Sequence, residues 1–200
     1  RIELLASLGL EFLVRPAAVD ETIDPATPPD EAVAELSRRK ASHVYRTAAS
    51  PDDTVIAADT LVWQDGRLLG KPADAADAAA MLRTLSGRRH TVPTGLTVIR
   101  GGEAQTVVSA AAVYFRPMTE REIEWYVATG EPLDKAGAYG IQERGGIFVE
   151  RIEGDFFTVL GLPLCELFRI LGRKFCKNLK NFIDKAVPLL YNEDKYNPKK

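Results

Sequence analysis

Residues 54–72 restrict the fold of this chain more than any other stretch, because they combine short apolar runs with one carboxylate and one tight turn. Residues 54–58 are apolar and begin with β-branched side chains, as a strand buried on both faces would. Asp59 follows this run directly. A second apolar run then leads to Asp65-Gly66, a dipeptide that favours the two-residue turn of a β-hairpin. We therefore predict three short strands, the last ending near residue 70.

The predicted hairpin brings an acid and a base to one rim of an apolar core. Asp59 ends the first strand, and Lys71 follows the last one. Burial of an ionised aspartate is costly unless a cation, a metal or a hydrogen-bond donor compensates it. Asp59 with Thr60 also fits a hydrogen-bonded structural pair, so this stretch alone leaves both interpretations open.

The rest of the chain predicts helices and strands joined by hairpins as well as crossovers. We therefore predict an α/β fold with a mixed sheet rather than a purely parallel one. Thr119 and Glu122 have the spacing of a capping box, which predicts the start of a helix. The other predicted elements are a helix that Gly9 ends, a strand at 10–14, helices at 31–45, 73–85 and 162–171, and strands at 96–100, 105–115 and 147–152.

Charge divides the chain into two segments. Residues 173–200 hold eight Lys and Arg against three Asp and Glu, a net charge of +5, which leaves −7 for residues 1–172. The first segment has only three lysines and no asparagine, whereas the second has seven lysines and four asparagines. The second segment therefore fits either an added piece of different origin or a native amphipathic helix. The acidic first segment argues against nucleic acid as a partner, because binding to phosphate backbones needs a basic face.

Composition excludes several classes of protein. With 46% hydrophobic and 27% charged residues, the chain is globular, and 200 residues suit one domain or one domain of two lobes. No apolar run reaches the roughly 20 residues that span a bilayer, so we expect a cytoplasmic protein without a membrane partner. Two cysteines and two histidines form neither a disulfide framework nor a zinc cluster.

Two of the three lysines in residues 1–172 lie in glycine-containing loops, at Gly70-Lys71-Pro72 and Asp134-Lys135-Ala136-Gly137. Lysine beside glycine suits a phosphate, because the ammonium is a mobile charge and glycine lets backbone N–H groups approach. Each lysine alone also fits solvated surface, and Lys40 near a helix end fits the helix dipole. Taken together, these residues fit a site for a polyphosphate and a divalent cation. Its candidate members are Arg1, Glu21, Asp59, Lys71, Asp134 and Lys135.

Short motifs occur along residues 1–172: ADT at 58–60, GKP at 70–72, LSG at 85–87, His90, TG at 94–95, EPLDKAGAYGIQ at 131–142, ERIEGD at 150–155 and VLGLPL at 159–164. In this order and at this spacing, they resemble the Maf family of nucleoside triphosphate pyrophosphatases. The resemblance covers residues 1–172 and implies an elongated, two-lobed Maf/ITPase-like fold with a central cleft. It further implies a cytoplasmic enzyme that needs a divalent metal and often forms a homodimer.

The resemblance also implies a reaction and its residues. Members cleave a nucleoside triphosphate between the α and β phosphates, releasing the monophosphate and pyrophosphate. By this resemblance Asp59 is the general base, and Glu21 joins Asp59 as a ligand of Mg²⁺ or Mn²⁺. The candidate substrate ligands are Arg1, Lys40, Thr60, Lys71, Lys135 and Gln142.

Thr60 and Gln142 carry the substrate prediction. Family members that act on dTTP and UTP have Asp-Thr and Gly-Ile-Gln at these places, as this chain does. Compact hydrogen-bonding groups of this kind suit the edge of a pyrimidine. The resemblance therefore implies a dTTP/UTP pyrophosphatase. The alternatives are a 7-methyl-GTP-type pyrophosphatase and a non-catalytic nucleotide-binding regulator of cell division.

The chain departs from the family pattern at both ends. The pattern begins with a strand and a Ser-x-Ser-Pro-Arg-Arg loop that grips the triphosphate, and Arg1 matches only its last arginine. We therefore expect a domain at 1–172 that lacks this strand and part of the phosphate loop. Residues 173–200 have no counterpart in the pattern.

Overall fold

The computed structural model describes residues 1–24, 26–50 and 52–172. Arg1–Ile170 form one compact unit. The predicted Lys- and Asn-rich segment, 173–200, lies outside the described residues, so the predicted division of the chain stays a prediction. None of the helices that the described residues form is long and apolar enough to cross a membrane.

Helices and strands are interspersed along the described residues, which confirms the predicted α/β class. The helices are α1 (Ile2–Ser7), α2 (Pro29–Ala48), α3 (Ala75–Leu85), α4 (Glu120–Ala128), α5 (Phe156–Val159) and α6 (Leu164–Leu171). The strands are β1 (Thr54–Thr60), β2 (Val62–Gln64), β3 (Arg67–Leu69), β4 (Arg89–Arg100), β5 (Glu103–Phe115) and β6 (Val149–Glu153). Three 3₁₀ turns, at Glu131–Asp134, Ala136–Ala138 and Arg144–Phe148, shape the long loop before β6.

Strand β4 is the centre of a six-stranded sheet. It pairs with β5 along one edge, and β5 continues to β6. Along its other edge β4 pairs first with β2 and then with β1. Every strand pair among the described residues is antiparallel, so the parallel pairs of a mixed sheet are not found in this part of the chain. The break between β1 and β2 lies at Leu61, whose N–H donates to the Pro93 carbonyl.

Two predictions from local sequence, a hairpin turn and a helix cap, are confirmed. Asp65 and Gly66 both have positive φ, as the predicted hairpin turn requires. Thr119 and Glu122 form the predicted capping box at the start of α4. The strand predicted at 10–14 is wrong, because β propensity gives a strand only where a partner edge is available, and this segment pairs with no described strand.

Two apolar clusters lie against the sheet. The larger one joins the sheet to α3, α4 and the long loop, and its fully buried side chains include Leu82, Val113, Ile123, Tyr126 and Phe148. The smaller one lies under α2, where Ala41 meets Val55 of β1 and Ile99 of β4. Helix α2 therefore covers the half of the sheet in which β1 pairs with β4.

Gly95 of β4 lets α2 lie directly on the sheet. A Cβ atom at this position would stand 2.1 Å from the Val33 carbonyl oxygen and 2.8 Å from the Ala34 nitrogen. Gly95 is also the partner of Asp59 in the β1–β4 pairing. Lys40 follows Val33 by about two helical turns, so the same contact sets Lys40 above Asp59.

We expect Gly95→Ala to lower the free energy of unfolding by about 2–4 kcal/mol, because the methyl group overlaps backbone atoms of α2 and forces the helix away. Gly70→Ala is the matched control, since nothing lies within 4 Å of a Cβ there. Denaturant unfolding of both variants measures the difference. Equal stability of the two variants would show that α2 is free to move.

Candidate functional site

The Lys40 ammonium lies between two carboxylates beside the end of β1. Its Nζ atom is 2.5 Å from Asp59 Oδ1 and 2.9 Å from Glu21 Oε1. The side chain of Asp59 is only 11% exposed, whereas that of Glu21 is 59% exposed. Burial by itself lowers the pKa of Lys40, but the hydrogen bonds to Asp59 and Glu21 outweigh it and raise the pKa. The ammonium therefore keeps its charge and holds both carboxylates at one point.

A cavity of about 310 Å³ opens next to this ion-pair cluster. Thr60, which directly follows Asp59 in β1, is one of its polar lining residues. The other polar lining residues are Arg1, Asp134, Lys135, Tyr139, Gln142 and Glu143. Its apolar lining comes from β2, β4, the long loop and the end of α5. The apolar residues are Val62, Val92, Ala136, Ile141, Val159 and Leu160.

Arg1 links the cavity to the ion-pair cluster. Its Nε atom donates to the Gly161 carbonyl over 2.7 Å, and its Nη2 atom donates to Thr60 Oγ1 over 3.0 Å. Burial of the guanidinium lowers the pKa of Arg1, and the negative charges of Asp59 and Glu21 offset part of this effect. Arg1 therefore lines the cavity and also interacts electrostatically with both carboxylates.

Lys135 also lines the cavity and contacts two acids. Its Nζ atom is 2.7 Å from Asp134 Oδ1 and 3.2 Å from Glu143 Oε1. The hydrogen bond to Asp134 is the main reason that the pKa of Lys135 is raised. The pKa of Asp134 is lowered chiefly by Lys135 and more weakly by Lys71, whose charge therefore lies nearby.

The long loop is anchored by a buried tyrosine and a glutamate. The Tyr126 hydroxyl donates to Glu131 Oε1 over 2.8 Å and accepts from the Gly140 N–H over 3.1 Å. Glu131 also accepts from the backbone N–H groups of Arg144 and Gly145. These bonds fix both ends of the segment that presents Gln142 to the cavity.

His90 of strand β4 forms a hydrogen bond with the same loop. Its Nε2 atom is 2.8 Å from the hydroxyl of Tyr139, a residue that lines the cavity. The ring also packs edge-on against Phe115. Burial, helped by the charge of Arg89, lowers the pKa of His90 to about 4, so the imidazole is neutral near pH 7. Within the described residues its Nδ1 atom has no hydrogen-bond partner.

The predicted site residues fall into three groups. Arg1, Thr60, Lys135 and Gln142 line the cavity, and Glu21, Lys40 and Asp59 form the neighbouring cluster. Lys71 is exposed and outside the lining, although the carbonyl of Gly70 beside it accepts from the Gly137 N–H of the loop. The roles predicted for these residues stay predictions.

Sequence reasoning gave no role to several residues that shape the site. These residues are Thr94, Tyr126, Glu131, Tyr139 and Glu143. The one local signal was Thr94, a polar residue that the sequence places within the buried stretch of β4. The other contacts join residues of the long loop to each other or to distant elements, and no spacing rule reports such contacts.

Asp59 and Glu21 supply two carboxylates, which is the number and type of protein ligand that suits a divalent cation bound with a phosphate. Mg²⁺ is commonly held by one or two carboxylates together with substrate phosphates, rather than by a cage of protein ligands alone. The two carboxylates already converge on one cation, the Lys40 ammonium. Across residues 1–24, 26–50 and 52–172, no three His, Cys, Asp or Glu side chains form a complete metal-binding group.

We expect the buried His90 to make the fold sensitive to acid. Because its pKa of about 4 lies below the 6.5 of an unfolded histidine, the unfolded state binds the proton first as the pH falls. The contribution of neutral His90 to the free energy of unfolding is therefore present above pH 6.5. About 3 kcal/mol of it is lost between pH 7 and pH 4. Unfolding measured across this range should show a shallower pH dependence for His90→Gln. His43→Gln, which removes the other histidine, is the control, and equal slopes in the two variants would contradict the assignment.

Comparisons with known proteins agree on one family. Residues 1–174 match the family described as Maf-like protein. The chain is 51% identical over 174 residues to the dTTP/UTP pyrophosphatase of Moorella thermoacetica, with 86% of this chain and 89% of the relative covered. It is 50% identical over 177 residues to the enzyme of the same name from Anaeromyxobacter dehalogenans strain 2CP-1, covering 86% and 88%. The Shouchella clausii protein of that name is 46% identical over 173 residues, covering 86% and 90%. The chain belongs to the Maf-like protein family.

Proposed function

We propose that this chain is a nucleoside triphosphate pyrophosphatase that converts dTTP and UTP to the monophosphate and pyrophosphate. One observation carries the proposal: a cavity whose lining includes two cationic side chains, Arg1 and Lys135, opens beside a buried carboxylate that a lysine holds in place. The activity named for the relatives supports the same substrates. In this proposal residues 1–172 are the catalytic domain, and the enzyme works in the cytoplasm, where nucleoside triphosphates are made and used.

The triphosphate would lie between Arg1 and Lys135. Both cations line the cavity, and Lys71 lies near Lys135 at the loop edge. The partners of Lys135 are exposed acids, Asp134 and Glu143, whose side chains are 73% and 52% exposed. Exposed ion pairs contribute little stability, so phosphate oxygens can replace these carboxylates at small cost. Lys135 is therefore suited to exchange its partners when the substrate enters.

The base would lie against the apolar part of the cavity. Thr60 and Gln142 offer a hydroxyl and an amide there, while Val62, Val92 and Ile141 offer flat apolar contact. This combination of an apolar slot with few polar groups is typical of small-molecule sites. It matches a pyrimidine, whose ring is apolar on its faces and polar along one edge.

Asp59 would act as the general base. It would take a proton from the water whose oxygen bonds to phosphorus at the α–β anhydride, and the anhydride bond then breaks to release pyrophosphate. Lys40, 2.5 Å from Asp59 Oδ1, holds the carboxylate in one orientation. The low exposure of Asp59 keeps bulk water away from the carboxylate and fixes which water it can reach.

A divalent cation, Mg²⁺ or Mn²⁺, completes the proposal. Asp59 and Glu21 would hold it, and when bound it would neutralise negative charge on the phosphate oxygens. Glu21 is the more exposed of the two carboxylates and can turn toward an incoming cation. Lys40 then remains as the fixed positive neighbour of Asp59.

Release of pyrophosphate by the full chain with Mg²⁺ and each of dTTP, UTP, CTP, ATP and GTP tests the proposed function. We expect turnover of dTTP and UTP, and Asp59→Asn should lower it by about 10²–10⁴-fold, because the amide keeps the shape but does not accept a proton. Asp65→Asn, at the exposed hairpin turn, is the matched control. Near-wild-type turnover by Asp59→Asn would remove Asp59 from the reaction.

Removal of a cavity lysine should weaken binding of the triphosphate more than binding of the monophosphate. For Lys135→Ala we expect a loss of about 10- to 150-fold for the triphosphate, the value of a charge-assisted contact. Lys71→Ala should have the same selectivity with a smaller loss, since this side chain lies outside the cavity lining. Calorimetry with UMP and a non-hydrolysable UTP analogue measures both. Arg83→Ala, which removes an exposed cation paired with Glu120, should leave both affinities unchanged.

A further inference from the structure

Three threonines form a chain of hydrogen bonds that begins in the cavity and ends in the protein interior. Thr60 Oγ1 is 2.9 Å from Thr94 Oγ1, and Thr94 Oγ1 donates over 2.8 Å to the carbonyl oxygen of Thr158. Thr94 and Thr158 are fully buried, whereas Thr60 is partly exposed and lines the cavity. The outer end of this chain is therefore the end that a ligand meets.

The carbonyl oxygen of Thr158 fixes which group donates and which accepts in each hydrogen bond of this series. A carbonyl oxygen only accepts, so the single hydroxyl hydrogen of Thr94 is used on Thr158. The oxygen of Thr94 then has only lone pairs left for Thr60, and the hydroxyl of Thr60 must be the donor between them. The hydrogen of Thr60 consequently points into the protein, and its lone pairs point outward.

Arg1 supports the same direction from the other side. Its Nη2 atom lies 3.0 Å from Thr60 Oγ1, and a guanidinium offers donors and no acceptor. Thr60 Oγ1 therefore accepts from Arg1 while it donates to Thr94. Gly161 lies close to this point, since a Cβ atom on it would stand 2.8 Å from Thr60 Oγ1. One lone pair of Thr60 remains for a ligand.

We propose that Thr94 is a positioning residue that makes Thr60 an obligate hydrogen-bond acceptor toward the base and so selects bases that carry an N3–H donor. Thymine and uracil have this hydrogen, whereas N3 of cytosine is a bare acceptor that would face the lone pair of Thr60. The inference rests on the proposed function, because it needs the base in this cavity. It adds the physical reason why dTTP and UTP would be preferred to CTP.

The test compares UTP with CTP in Thr94→Val, which keeps the shape of the buried side chain but does not accept the hydrogen of Thr60. The hydroxyl of Thr60 can then turn outward and donate to N3 of cytosine. We expect the ratio of kcat/KM for UTP to that for CTP to fall by about five- to tenfold, the value of one neutral hydrogen bond. Thr94→Ser restores the acceptor and should restore the ratio.

Thr97→Val is the matched control. Thr97 is a fully buried threonine of the same strand, but its hydroxyl contacts Ser37 and Thr106 rather than the cavity. Loss of this hydroxyl should leave the UTP-to-CTP ratio unchanged. An equal fall of the ratio in Thr97→Val would overturn the inference, because the effect would then be general softening of the strand.

A second measurement uses the wild-type enzyme and depends on no variant folding. N3-methyluridine triphosphate lacks the N3–H donor, and we expect it to be hydrolysed at least tenfold less efficiently than UTP. Three outcomes would overturn the role of Thr94 and leave the proposed function standing. They are equal turnover of N3-methyluridine triphosphate and UTP, equal turnover of UTP and CTP by the wild type, and an unchanged UTP-to-CTP ratio in folded Thr94→Val. Absence of any pyrimidine triphosphate hydrolysis by the wild type would overturn the proposed function, and this inference with it.

Discussion

The backbone of α2 lies directly against Gly95, and the charged half of the candidate site depends on this contact. Asp59 is the neighbour of Gly95 across the β1–β4 ladder, and Lys40 extends from α2 about two turns beyond Val33. A side chain at position 95 would push the helix out and separate the ammonium from its carboxylates. The glycine in the middle of strand β4 is thus explained by the close approach of a helix, not by a turn.

Two lysines of the candidate site, Lys40 and Lys135, form ion pairs with carboxylates of the same chain. Lys40 bridges Asp59 and Glu21, and Lys135 contacts Asp134 and Glu143. The two sets differ in burial, since Asp59 is nearly enclosed and the partners of Lys135 are exposed. In the proposed function, an arriving triphosphate would therefore replace the acids around Lys135 at small cost, whereas the contact between Lys40 and Asp59 is too enclosed to be given up at the same cost. In the proposed function, this difference in burial separates the binding role of Lys135 from the chemical role of Asp59.

Much of the local structure could be predicted from the sequence, but few of the tertiary contacts could. The Asp65-Gly66 turn and the capping box at Thr119 follow from rules that act over a few residues, and both are confirmed. The strand predicted at 10–14 is wrong, because a strand needs a partner edge that no local rule supplies. Spacing indicated an acid, lysines and glycines around a phosphate, but the contact between Glu21 and Lys40 depends on how an irregular segment meets a helix. Thr94 shows the limit most clearly, since its role exists only through two bonds to residues far away in the chain.

The central claim is that this cavity directs cleavage of a pyrimidine triphosphate at the α–β anhydride. Phosphorus-31 NMR of UTP incubated with the full chain and Mg²⁺ tests it directly, because the products of the two anhydride bonds have separate resonances. The account predicts that UMP and pyrophosphate appear in equal amounts, with neither UDP nor orthophosphate formed. Appearance of UDP with orthophosphate would place cleavage at the β–γ bond and contradict the account.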